Sequence, residues 1–142
     1  MEQNFSNHSR IVKGYHGILT LLLLAGLIGS IFNLASSLGT DNLYSASLLV
    51  LLFIIGFLLA WFTRSFPLKA QDRAIRAEEN FRYYLLTQKP LPANLKMEQI
   101  IALRFASDEE FPSLTQRSIQ ENMTGKEIKQ AIKKWKADYN RV

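Results

Sequence analysis

The densest set of groups able to do chemistry lies in QDRAIRAEENFRYYLLT, at 71–87, which holds Arg73, Arg76, Glu78, Glu79 and Arg82. On a helix, residues three and four apart share a face. Asp72–Arg76 and Glu78–Arg82 therefore have the spacing of ion pairs, stabilising by about 0.2–0.5 kcal/mol each. His8 and Arg10 stand near the start of the chain. Brought to one surface, these seven residues would supply an imidazole, two carboxylates and four guanidiniums, enough for an interaction surface or for acid–base work.

Other groupings carry less. His8 and His16 with Glu79 would be a zinc or acid–base set drawn from two segments without a recognisable spacing. The chain has no cysteine, which excludes disulfides, thiol nucleophiles and Cys-based zinc sites. Asp108, Glu109 and Glu110 are consecutive, so on a helix they point in different directions and read as a solvated first turn favoured by the helix dipole. No glycine-rich phosphate loop or nucleophile motif is visible. No catalytic residue, metal or cofactor is expected. The net charge of +5 suits nucleic acid or anionic lipid, but 113–123 offers only Arg117 to a phosphate backbone. Nucleic acid is accordingly disfavoured.

The elements that must position these groups are set by hydropathy. Residues 43–62, LYSASLLVLLFIIGFLLAWF, are uncharged, as are 17–35, GILTLLLLAGLIGSIFNLA. Each has about the 20 residues needed to cross a hydrocarbon core of roughly 30 Å. A soluble buried helix is the alternative, but two such runs would leave little water-facing surface. A signal peptide is the other alternative for the first run, since Arg10 and Lys13 precede it. Against cleavage, the apolar core is long and Asn33 stands where a small residue is expected.

Arg10 and Lys13 precede the first span and Arg64, Lys69, Arg73 and Arg76 follow the second, while the connection SSLGTDN carries one acid and no base. The positive-inside rule puts both ends in the cytoplasm. Gly26, Gly29, Ser30 and Asn33 in the first span and Gly56 and Ala60 in the second are candidate helix-packing residues. In an antiparallel hairpin Gly26 lies level with Phe53 and Leu23 with Gly56, so large faces small. Asn33 reads as an interhelical or oligomer contact, or as an amide reaching interfacial water. Tyr15, Trp61, Arg64 and Phe66 read as membrane-interface anchors.

Of the 17 Lys and Arg residues, 15 follow Phe62, so the remainder of the chain is a polar tail. Pro67 suits the first turn of a helix over 68–87. There Ala70, Ala74, Ala77, Phe81, Tyr84 and Gln88 follow one face, with Leu85 beside them and Ile75 flanking. The two prolines of Lys89-Pro90-Leu91-Pro92 end it. Further helices are expected over 95–106, capped by Asn94, over 113–123, and over 125–139, where Thr124 and Glu127 have capping-box spacing. The last would bury Ile128, Ala131, Ile132, Trp135 and Tyr139, packing on the tail or lying on the membrane with Lys129, Lys133 and Trp135 toward anionic headgroups.

The pieces QNFSNHSR at 3–10, QDRAIRAEENFRYYLLT at 71–87, QIIALRFASDEEF at 99–111 and IKKWKADYNRV at 132–142 resemble a family of small bacterial membrane proteins of uncharacterised function. The resemblance implies a two-span protein with a cytoplasmic tail and assigns no catalytic residue. The expected architecture is all-α: an N-terminal segment over 1–16, a transmembrane hairpin over 17–62 and a cytoplasmic helical tail over 63–142. The expected setting is a bacterial inner membrane. The expected role is an anchor, adaptor or structural subunit with lipid, homo-oligomeric or membrane-protein partners. The alternatives are a small membrane-surface enzyme or lipid-handling protein, and then a component of a transport complex.

Overall fold

A computed structural model of the chain describes residues 3–7 and 12–138. His8, Arg10 and Tyr139 lie outside the described residues. Contacts divide the chain into two compact units, Ile11–Phe66 on one hand and Met1–Arg10 with Pro67–Val142 on the other. Among the described residues there are five helices and no strand.

In the unit Ile11–Phe66, α1 (Gly14–Ser36) opens with a π-helical stretch and becomes α-helical from Thr20. The turn after it contains Gly39 at φ 77°, a left-handed conformation that glycine adopts without a Cβ clash. α2 (Leu43–Thr87) follows. Its first part runs antiparallel to α1, since Gly26 meets Phe53, Leu23 meets Gly56, and the Tyr15 hydroxyl donates to the Ala60 carbonyl. A Cβ on Gly26 would collide with the Phe53 ring, and one on Gly56 would lie 3.0 Å from Leu23 Cδ2. Beside Gly29 there is open space. Both α1 and α2 are long and apolar enough to cross a membrane, and only 6% of the apolar window of each is buried inside the chain.

Pro67 does not head a separate helix at 68, as its residue type suggests; it lies within the 45 residues of α2. Proline forfeits one helical hydrogen bond and crowds one carbonyl, costing about 3 kcal/mol. After it, the strong helix formers of LKAQDRA carry the helix on.

The second unit is built on the end of α2. After it come α3 (Met97–Leu103), α4 (Phe111–Gln120) and α5 (Gly125–Ala131). α3 is shorter than the expected 95–106, and Lys96 rather than Asn94 is its cap, with the Lys96 N–H donating to Gln99 Oε1 at 2.9 Å. α5 stops at Ala131 rather than 139. One cause shortens both ends. Ala106 bridges Trp135 in an antiparallel sense, Ser107 N–H donates to the Lys134 carbonyl at 3.1 Å, and Lys136 N–H donates to Phe105 at 2.8 Å. Backbone groups paired between segments are no longer available to continue either helix. Pro112 lies in the first turn of α4, which begins two residues before the expected 113.

The core of this unit joins Ile75 and Tyr83 of α2 to Ile100, Leu103, Phe105, Phe111, Leu114, Ile128 and Ile132. Phe105 and Phe111 are fully buried, each stabilising by about 1.5–3 kcal/mol through water exclusion. At the head of α5, Thr124 Oγ1 accepts the Glu127 N–H, and Glu127 Oε2 accepts the Thr124 N–H at 2.7 Å. That reciprocal cap holds the Glu127 carboxyl below its ordinary value, the backbone hydrogen bond being the larger cause.

Gly125 lets α5 close on α3, because a Cβ there would lie 2.9 Å from the Glu98 carbonyl oxygen. Backbone cannot swing aside as a side-chain end can. Gly125→Ala is therefore expected to destabilise the helical unit by about 1–3 kcal/mol, despite alanine's better helix propensity. Urea unfolding followed by tryptophan fluorescence measures it, since Trp135 packs on this core.

Candidate functional site

Within the second unit, α2 turns Ile75, Glu79, Arg82 and Tyr83 toward the core. Arg82, with a side chain only 11% exposed, is the centre of a polar cluster. Its Nη1 donates to Glu79 Oε2 at 3.0 Å, its Nη2 to the Ala106 carbonyl at 2.7 Å, and its Nε to Asp108 Oδ1 at 2.7 Å. The guanidinium lies 4.4 Å from the centroid of the Phe111 ring. Arg82 thus pairs with Glu79 and Asp108, not with Glu78 as the four-residue spacing suggests. A buried guanidinium needs hydrogen-bond acceptors in place of the water it gives up.

Glu79 is itself buried, and loss of solvent raises its carboxyl above the ordinary value of 4.5 while the adjacent Arg82 charge opposes that rise. Beside it is a pocket of about 410 Å³, with Gln71, Ile75, Glu78 and Glu79 on one side and Arg104, Lys136 and Asp138 on the other. Arg104 is buried, sits 4.7 Å over the Phe105 ring, and pairs through Nη1 with Asp138 Oδ2 at 3.2 Å. Asp138 is also gripped along its backbone. The Gln3 amide accepts its N–H at 2.7 Å and donates to its carbonyl at 3.2 Å.

The family model of a family of unknown function (DUF6526) matches residues 1–142. The chain belongs to this family. No curated protein and no solved structure matches it.

The DUF6526 chain does not gather its charged helix face onto one point. Glu78 and Glu79 border the pocket beside Asp138, whereas Arg73 and Arg76 border a separate groove with Asn80, Leu91 and Pro92. The acids at 108–110 likewise diverge: Asp108 takes Arg82, Glu109 takes Lys134 Nζ at 2.6 Å, and Glu110 accepts the backbone N–H groups of Lys133 and Lys134. Among the described residues no three His, Cys, Asp or Glu are grouped to hold a metal. Trp135 stacks on Phe105 with centroids 4.9 Å apart, and Lys129 Nζ stands 5.8 Å from the same ring. The last segment therefore packs on the helical unit.

In the hairpin unit, Ser30 is buried and donates to the Leu27 carbonyl at 2.8 Å, while Asn33 is exposed. Trp61 and Phe66 are exposed and Arg64 is half-buried. Spacing singled out neither Arg104, Asp138 nor Gln3. A signal for Arg104 was present, a lone charge between Leu103 and Phe105 in an apolar run.

Arg82→Ala would leave a buried carboxyl and the Ala106 carbonyl without their donor, an expected loss of about 3–5 kcal/mol. Glu79→Gln keeps an acceptor and removes the charge. Because the native carboxyl holds its proton more tightly than the unfolded one, the stability it contributes is fully present below about pH 4.5 and is lost as pH rises through the folded value. Urea titrations at acid and neutral pH should therefore show Glu79→Gln gaining on the parent chain as pH rises. A constant difference would remove the burial account of Glu79.

Proposed function

We propose that this chain is a two-span membrane anchor that presents its helical unit, on the cytoplasmic face, as a docking module for protein partners. The observation that carries this reading is the pairing of Gln3 with Asp138. It joins the segment before the first apolar helix to the end of the segment after the second. Two apolar helices whose flanking segments meet in one compact unit suit a hairpin that enters and leaves a membrane by the same side. The near absence of burial along both apolar windows supports lipid as their solvent, since helices satisfy their own backbone there.

Charge supports the direction. Lys13 stands before the hairpin and Arg64, Lys69, Arg73 and Arg76 after it, against Asp41 alone in the turn, the asymmetry of a cytoplasmic pair of ends beside anionic headgroups. Divergence of Arg73 and Arg76 from Glu78 and Glu79 favours a docking module over a membrane-surface enzyme, which would need these groups to converge.

The absence of native cysteine allows a direct test with Asp41→Cys and Lys89→Cys. A membrane-impermeant maleimide is expected to label the first in intact cells and the second only after permeabilisation. Labelling of both from the same side would overturn the hairpin.

A further inference from the structure

The face of α2 opposite the core is left uncovered. Ala70, Ala74, Ala77, Phe81 and Tyr84 succeed one another in steps of four and three and are all exposed. Phe81 is 63% exposed, Tyr84 48% and the adjoining Leu85 59%. The buried Ile75, Glu79 and Tyr83 lie across the helix from them. Alternate steps of four and three are the a and d spacing with which one helix packs along another.

The charges beside the stripe identify the partner. With Ala74 and Phe81 at a positions and Ala70, Ala77 and Tyr84 at d, Arg73 falls at g and Glu78 at the following e. In a parallel pair of identical helices, g of one copy faces e of the other five residues on. Arg73 then meets Glu78 of the second copy, and the two-fold axis makes the same pair again. Both residues are exposed, and no ion pair among the described residues occupies either. The three alanines permit close approach at one end of the stripe, and Phe81 and Tyr84 supply the apolar area at the other.

We propose that the chain forms a parallel homodimer through this stripe of α2. The parallel sense, and with it the pairing of Arg73 with Glu78, rests on the membrane anchor described above, which gives both copies one orientation; the exposed apolar stripe itself does not.

The full-length chain in membrane vesicles tests this with single-cysteine variants under mild oxidation. Disulfide-linked dimers are expected for Ala74→Cys, Ala77→Cys, Phe81→Cys and Tyr84→Cys, and not for Arg76→Cys on another face. Adding Arg73→Glu to Ala77→Cys is expected to weaken dimerisation about twofold to tenfold, as two exposed ion pairs are replaced by repulsion. Further addition of Glu78→Arg should restore it, which a folding defect would not allow. Cross-linking at a single level with decline on either side would mean antiparallel helices and overturn both the dimer and the shared orientation. Absence of cross-linking at every level, with maleimide labelling as expected for the hairpin, would overturn the dimer alone and leave the stripe to lipid or to another protein. Failure of the charge reversal to rescue would also overturn it.

Discussion

A guanidinium withdrawn from water must be met by acceptors around its edge and by something flat and polarisable on its face. Arg82 has both, from three parts of the chain. Glu79 comes from its own helix, the Ala106 carbonyl and Asp108 from the segment after α3, and the Phe111 ring from the start of α4. The contact with Glu79 lies in the lower dielectric, since the Asp108 side chain is 64% exposed and screened by solvent. Displacing the segment that carries Ala106 would strand a charge in the core. The end of α2 and the shorter helices are joined through this charge into one unit.

Those shorter helices have little stability of their own. α3 and α5 have seven residues each and α4 has ten, below the length at which an isolated helix persists in water. They are held by burial of Phe105, Phe111 and Ile128 and by the pairing of 105–107 with 134–136. That pairing also fixes Arg104 opposite Asp138. The ends of α3 and α5 and the walls of the pocket beside Glu79 consequently share one cause.

The parts legible in the sequence were those governed by a single local rule. Long uncharged runs gave two apolar helices, Thr124 and Glu127 gave a capping box, and the two prolines at 90 and 92 gave an end to α2. What escaped was decided by distant residues. Pro67 reads as a helix start when only its own ring is considered, yet α2 runs through it. Glu78–Arg82 has ideal spacing, but the direction of Arg82 is set by carbonyls more than twenty residues away. The apolar periodicity of 70–88 was visible, while the face turned to the core is the one with Ile75, Glu79 and Tyr83, where burial of a charge network outweighs the count of apolar side chains. Of the candidate surface, Glu79 and Arg82 are buried against one another, and the Ala106 and Asp108 partners of Arg82 could be found only in three dimensions.

The grip of Gln3 on Asp138 also bears on the order in which the molecule is made. Its two ends are separated by 135 positions, so it becomes available only after Asp138 has joined the growing chain. Closing a loop that long costs conformational entropy that a pair of amide hydrogen bonds does not repay alone. The clasp therefore forms only on a helical unit already folded around Arg82 and Arg104. A chain halted before residue 138, or one whose two apolar helices hold its ends apart, lacks it altogether. In that sense the clasp is a closing contact, made once the helical unit it fastens is already in place.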